Sequence, residues 1–200
     1  MNKFKAKWIW TSKENCQAYN HTVIALREFK IKSVSDATIR ITADSFYRLF
    51  INEKWIKDGP ARSWPEHYYF DEIDITTYLR PGVNTVKVIA RYYGTGDFHR
   101  VPRQAGLLAE LTITQQDGKR VIIATDDKWE MALANAWRPN TPKISIQMEP
   151  AEFYDARLEN GLSFRNASVL YEAENGPWKN LSKCEVAAMS RKAKYPVAFC

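Results

Sequence analysis

Two stretches of this 200-residue chain hold side chains suited to recognising a small polar ligand. Residues 59–68 bring Trp64, His67 and Tyr68 together with Arg62, Ser63 and Glu66. Residues 92–103 bring Tyr92, Tyr93 and Phe98 together with Asp97, His99, Arg100 and Arg103. Flat aromatic faces can stack on the apolar side of a sugar ring, while carboxylate, imidazole and guanidinium groups take its hydroxyls. Trp64, Tyr68, Asp97, His99, Arg100 and Arg103 are therefore the candidate substrate-binding residues. The competing reading is that the same side chains pack the rim of the fold or a neighbouring domain, as loop ends of β domains often do, and the balance leans that way.

Catalytic chemistry is harder to find. A glycosidase needs two carboxylates astride a bond. Asp71, Glu72 and Asp74 cluster, but on an extended segment Glu72 and Asp74 share one face opposite Ile73 and Ile75, the pattern of a solvated strand edge. Asp126-Asp127 precedes Lys128-Trp129 at a position that suits a turn. No nucleophile elbow frames a serine, and there is no phosphate-binding loop or metalloprotease helix. Gly94-Thr95-Gly96 lacks the third glycine and the following helix of a dinucleotide site and reads as a loop. Cys16 beside His21 is a chance pairing. The cysteines, Cys16, Cys184 and Cys200, are odd in number and scattered, which is no disulfide framework, and His21, His67 and His99 have no neighbour at zinc-ligand spacing. No catalytic residue, metal ligand or cofactor is assigned. Oxygen ligands for calcium are plentiful, but no spacing singles out a site.

The elements that must carry these loops are strands. Ile39, Ile41 and Ala43 alternate with Thr38, Arg40 and Thr42, and Tyr47, Leu49 and Ile51 alternate with Phe46, Arg48 and Phe50. The same period of two marks 86–91 and 107–114, and further strands are expected at 22–31, 67–70, 120–125 and 129–133. Asn52-Glu53, Pro81-Gly82 and Asp117-Gly118 supply turns between them. One short helical turn fits 74–79. Residues 153–157 read as a last strand returning to the sandwich, and 159–177 as polar loop. Trp8, Trp10, Trp55 and Trp129 lie within apolar patterns and are expected in the core. Many short strands at this spacing predict an all-β jelly-roll sandwich. It should span 1–180, with 181–200 a linker or the start of a following domain, the apolar group at 195–199 giving the chain an abrupt end.

The net charge of +6 is spread along the chain, its densest runs being Lys3/Lys5/Lys7 and Arg191/Lys192/Lys194. Without a nucleic-acid motif this is a solvated surface, and no apolar run approaches a membrane span. Neither nucleic acid nor membrane is an expected partner. The first residues, MNKFKAKWIW, lack the apolar stretch of a signal peptide, which leaves a cytoplasmic location or export after loss of a leader. The sequons at Asn20, Asn166 and Asn180 say little without a secretory context.

An ordered series of short pieces resembles a known family. Trp8-Ile9-Trp10 is followed by Ile41-Thr42-Ala43-Asp44, Tyr47-Arg48-Leu49-Phe50-Ile51-Asn52 and Gly59-Pro60-Ala61-Arg62. Then come His67-Tyr68-Tyr69-Phe70-Asp71, Leu79-Arg80-Pro81-Gly82-Val83-Asn84, Gly106-Leu107-Leu108-Ala109-Glu110-Leu111, Thr125-Asp126-Asp127-Lys128-Trp129 and Phe153-Tyr154-Asp155-Ala156-Arg157. Over most of residues 7–160 the series resembles the N-terminal domain of bacterial α-L-rhamnosidases, glycoside hydrolase family 78. The resemblance implies a galactose-binding-like jelly roll ahead of further β domains and an (α/α)6 barrel that hydrolyses rhamnosides with inversion. No residue here matches the barrel's acids. The chain would then be a non-catalytic accessory module, its partners the rest of the hydrolase and rhamnose-containing glycans. A stand-alone carbohydrate-binding module and a structural assembly domain are the alternatives. Glu53 stands where such domains usually have Gly after Asn52, which bears on the type of that turn.

Overall fold

The computed structural model describes residues 3–187; the basic run at 191–194, the apolar group at 195–199 and Cys200 lie outside the described residues. Thirteen strands form among these: β1 Lys7–Trp10, β2 His21–Ile31, β3 Asp36–Ala43, β4 Phe46–Ile51, β5 Lys54–Gly59, β6 Tyr69–Asp74, β7 Gly82–Tyr92, β8 Leu107–Thr114, β9 Arg120–Ala124, β10 Glu130–Leu133, β11 Arg165–Asn166, β12 Ser168–Glu172 and β13 Ser182–Lys183. One sheet runs β12-β1-β8-β3-β6-β13 with β9 also on β8, and the other β11-β10-β2-β7-β4-β5. All pairs are antiparallel except β13 against β6. This is the expected all-β sandwich.

Alternation decides what lies between the sheets. Val23, Ala25, Phe29 and Ile31 of β2, Leu49 and Ile51 of β4 and Val86, Val88 and Ala90 of β7 meet Ile39 and Ile41 of β3 and Leu107, Ala109, Leu111 and Ile113 of β8. Each of the larger side chains, Val, Leu, Ile or Phe, contributes about 1.5–3 kcal/mol when removed from water. The opposite face of β8 is covered too. Leu108 packs with Ala6, Trp8, Tyr68, Ala173 and Trp178 in a second, smaller core. Trp8 and Trp178 stack with ring centroids 3.8 Å apart. Gly106 permits that stack, since a Cβ there would fall 2.5 Å from the Trp178 ring. Arg40 and Glu110 pair beside it.

The β4–β5 turn resolves the question raised by Glu53. Asn52 and Glu53 both hold positive φ, 48° and 65°, the two left-handed residues of a type I′ hairpin. The Asn52 side chain pins the turn, donating to Tyr78 O and Asn84 Oδ1 and accepting from Thr85 N.

Three expectations need correction. Residues 153–157 are not a strand: Tyr154 makes one isolated bridge to Trp137, and a 3-10 turn, Ala156–Leu158, follows. Asp155 accepts from both the backbone and the guanidinium of Arg157, local bonds that compete with a sheet ladder. Within the supposed loop 159–177, β12 pairs with β1 along the sheet edge. Trp55 is outside the core, 46% exposed, because β5 is an edge strand and its ring lies on the outer surface, its indole N–H donating to Asp58.

Candidate functional site

The two aromatic loops meet at one end of the sandwich, over a residue that the reading of the sequence had not singled out as functional. Asp44 sits at the β3–β4 turn, buried, with Ser45 beside it at φ 67°. Its Oδ2 accepts from Trp178 Nε1 (2.8 Å) and, at longer range, from the Arg103 backbone N–H (3.4 Å). Its Oδ1 accepts from the Ser45 hydroxyl (2.9 Å), which in turn accepts from Tyr93 N–H (3.1 Å). The β3–β4 turn, the 92–106 loop and the segment bearing Trp178 are thereby tied to one carboxylate. Burial pushes the Asp44 carboxyl up to about 6, against the opposing pull of the Trp178, Ser45 and Arg103 hydrogen bonds. The signal was an acidic residue inside an apolar run, Ala43-Asp44-Ser45-Phe46.

Of the six candidate residues, Tyr68 and Arg100 line one cavity with Asp44, Ser45, Arg62, Ser63 and Thr95. Tyr68 is buried and donates to Ala43 O (3.1 Å). Arg100 lies with its guanidinium 5.4 Å from the Tyr93 ring centre. The cavity holds only about 10 Å³, room for roughly one water molecule. The other four lie around it without lining it. Arg103 clasps the two loops together through Glu66 (2.9 Å). Asp97 caps its own turn, accepting from His99 N–H (2.6 Å) and bridging to Arg100. The side chain of His99 is exposed, and Trp64 is 61% exposed. Phe98 and Val101 are exposed on the same rim.

The buried carboxylates are each engaged. Asp71 is held by Lys57 and Tyr47, and Glu110 by Arg40 and the N–H groups of Lys5 and Ala6. Glu72 pairs with Lys183. Cys16 donates to Lys13 O rather than to His21, whose imidazole is pushed down by burial. Among the described residues no three His, Cys, Asp or Glu side chains gather as metal ligands, and no helix is long and apolar enough to cross a membrane. Asn20 is buried, its side-chain amide donating to Thr141 and to Pro139 O.

A second concavity lies away from the rim, on the outer face of the six-stranded sheet. Thr22, Phe46, Arg48, Ile89, Arg91, Tyr93, Trp137, Glu149 and Glu152 line a cavity of about 180 Å³. Trp137 and Ile89 also border a neighbouring apolar hollow of about 310 Å³. The Trp137 indole N–H donates to Glu152 (2.8 Å), and the ring packs on Tyr154 with centroids 4.6 Å apart. Apart from Tyr93, nothing in the sequence reading pointed here, because the lining comes from five separate stretches.

Two sheets, a loop-built rim and a buried carboxylate anchoring it define a galactose-binding-like jelly-roll module. Comparison with known proteins makes that class specific. The family of the α-L-rhamnosidase N-terminal domain matches residues 32–190, and the chain belongs to it. It is similar to the GH78 rhamnosidase of Bacillus sp. GL1, with 31% identity and a TM-score of 0.82 over 92% of this chain. The α-L-rhamnosidase of Aspergillus terreus shares the fold at 20% identity and a TM-score of 0.71 over 90% of the chain. A lectin from Pleurotus ostreatus does so at 24% identity and 0.60, with 88% of this chain covering 44% of the lectin. The chain spans about a fifth of these rhamnosidases, 20% and 22% of their lengths. No curated protein sequence matches.

Proposed function

We propose that the chain is a non-catalytic accessory module of an inverting α-L-rhamnosidase-type hydrolase, which supports the catalytic barrel through its rim and contacts carbohydrate elsewhere on its surface. The observation that carries this reading is the closed rim. Its polar groups bond one another around Asp44, leaving about 10 Å³, while Trp64, Phe98 and Val101 point outward. That volume is space for a water molecule and not for a sugar ring. An apolar cluster exposed beside a closed pocket suits docking against another domain. The absence of catalysis is argued from the carboxylates. Asp71 and Glu110 are paired with cations. Asp44 is bound by Trp178, Ser45 and the Arg103 N–H, with no second carboxylate lining its cavity. Glu149 and Glu152, which share a cavity, are both exposed, whereas a glycosidase acid works from a desolvated pocket beside a second carboxylate.

Incubation of the 200-residue chain with an aryl α-L-rhamnoside tests the first half. No release of the aryl group above buffer is expected, and turnover would overturn the reading. For the second half, Trp64→Ala with Phe98→Ala should lower the melting temperature of the product of the complete reading frame. In the isolated chain these exposed positions should matter by no more than about 0.5 kcal/mol. An equal effect in both would mean that the rim docks nothing.

A further inference from the structure

We infer that the 180 Å³ cavity on the outer face of the six-stranded sheet binds one pyranose unit of a neutral glycan, with Trp137 as its stacking wall and Glu149 and Glu152 as its hydroxyl acceptors. For its ligand class the inference rests on the proposed carbohydrate contact. It stands on the sheet face, and Tyr93, at the start of the 92–103 loop, is the lining residue that it shares with the rim loops.

Size comes first. A cavity of about 180 Å³ admits a single six-membered ring and little more. The rim cavity is too small by more than tenfold, 180 against 10 Å³.

The wall chemistry comes second. A pyranose has an apolar face of C–H bonds and an equator of hydroxyls. It therefore calls for a flat aromatic surface and acceptors set around it. Trp137 and Phe46 supply apolar ring surface. Glu152 is held by the Trp137 indole N–H through one oxygen, Oε1, leaving acceptor capacity on the carboxylate, and Glu149 is exposed. Arg48 is held by Asp58 through two hydrogen bonds, 2.9 and 2.8 Å. Arg91 is fixed by Asn20 and by Pro150 O. These cations are preorganised rather than free to collapse onto an anion. Two guanidinium groups stand against two carboxylates in the lining, so the wall carries no net charge and favours an uncharged polyol over an acidic sugar.

An unsatisfied polar group is the third observation. The Thr22 hydroxyl, in a residue 5% exposed, has no hydrogen-bond partner among the described residues, and Thr22 belongs to this wall. Its oxygen is shielded from solvent, so a ligand in the cavity pairs it only where the wall shifts.

The adjoining hollow extends the site. It shares Ile89 and Trp137 with the cavity, and its lining is mostly aliphatic, with Lys87, Glu159 and Asn160 as its polar members. A second sugar, or the aglycone of a plant glycoside, would lie there. The terminal unit fills the cavity by itself, so a free monosaccharide is a sufficient probe of it.

The test is titration of the folded chain with L-rhamnose, and separately with D-galactose, followed by two-dimensional 1H–15N NMR. The expected result is a saturable shift of the Thr22 and Ile89 amides and the Trp137 indole, with a dissociation constant on the order of 1 mM, as befits a small ligand on an open site. Trp137→Ala should weaken binding at least tenfold. Should that variant fold poorly, Glu149→Gln, at an exposed side chain with no hydrogen bond or ion pair among the described residues, should weaken it several-fold while leaving the spectrum native. No shift with either sugar at about 50 mM, or shifts confined to residues 59–68 and 95–103, would overturn the inference. A null titration leaves rhamnoside hydrolysis and docking by the rim untouched, whereas shifts at the rim would also count against the closed rim, so failure here is distinguishable from failure of the accessory reading.

Discussion

The end of the sandwich closed over Asp44 and the outer face of the six-stranded sheet differ in how their polar groups are used. At the closed end nearly every suggestive side chain is bound to another: Asp44 to Trp178 and Ser45, Arg103 to Glu66, Asp97 to its own turn, Tyr68 to Ala43 O. On the sheet face, two carboxylates and three aromatic rings border an open cavity, and the Thr22 hydroxyl has no partner among the described residues. A dense run of chemically active residues in a loop must first satisfy its own polar groups. On the sheet face the ladder positions Thr22, Phe46, Arg48, Ile89 and Arg91, while Trp137, Glu149 and Glu152 come from the irregular segment laid over it.

Breaking the closed end should cost most through its deepest residue. Trp178→Ala removes the stack on Trp8 and the bond to Asp44, and should lower unfolding free energy by about 3–5 kcal/mol in chemical denaturation. Amide exchange at 59–68 and 92–103 should quicken, while that of β2 and β7 in the sheet face should change only through global stability.

Asp44 sharpens the comparison through pH. Its folded-state carboxyl titrates near 6, above its ordinary 3.8, so the folded chain holds this proton more tightly than the unfolded chain. The stabilising contribution is complete below about pH 4 and is lost as pH rises through 6, a span of about 3 kcal/mol. Asp44→Asn should flatten that part of the stability profile. A slope that persists in the variant would mean that another group carries it.

The Arg103–Glu66 clasp is the smallest effect. Both side chains are more than a third exposed, so Arg103→Ala should change stability by no more than about 1 kcal/mol. Its mark should be local: faster exchange in the two loops at an unchanged melting temperature.

Much of this fold was legible because one face of each strand is buried. The alternation of β3, β4 and β7 fixed both their existence and their inward residues, and the turn at Asp117-Gly118 formed where expected, with Gly118 at φ 78°. Edge elements were not legible. In β12 no residue is fully buried, so no alternation marks it. Trp55 looked like core because hydrophobicity alone does not say which side of an edge strand a ring takes. The candidate loops were found as loops, and their meeting over Asp44 could have been suspected from an acid lodged in an apolar run. The sheet-face cavity was invisible because Thr22, Phe46, Ile89, Trp137 and Glu149 are brought together only by strand register and by the 134–164 segment laid across the sheet.

The short β13 has a consequence for handling the protein. Ser182–Lys183 lies parallel to β6, with Ser182 N–H on Tyr68 O (3.0 Å) and Cys184 N–H on Phe70 O (2.8 Å). It is the cover on that margin of the seven-stranded sheet. A chain cut before Ser182 would present the backbone of Tyr69 and Phe70 as an open template, the feature through which sheets recruit one another into aggregates. Expression boundaries for this module therefore belong beyond Cys184, and a shorter version that precipitates would owe it to an unguarded margin rather than to a failed core.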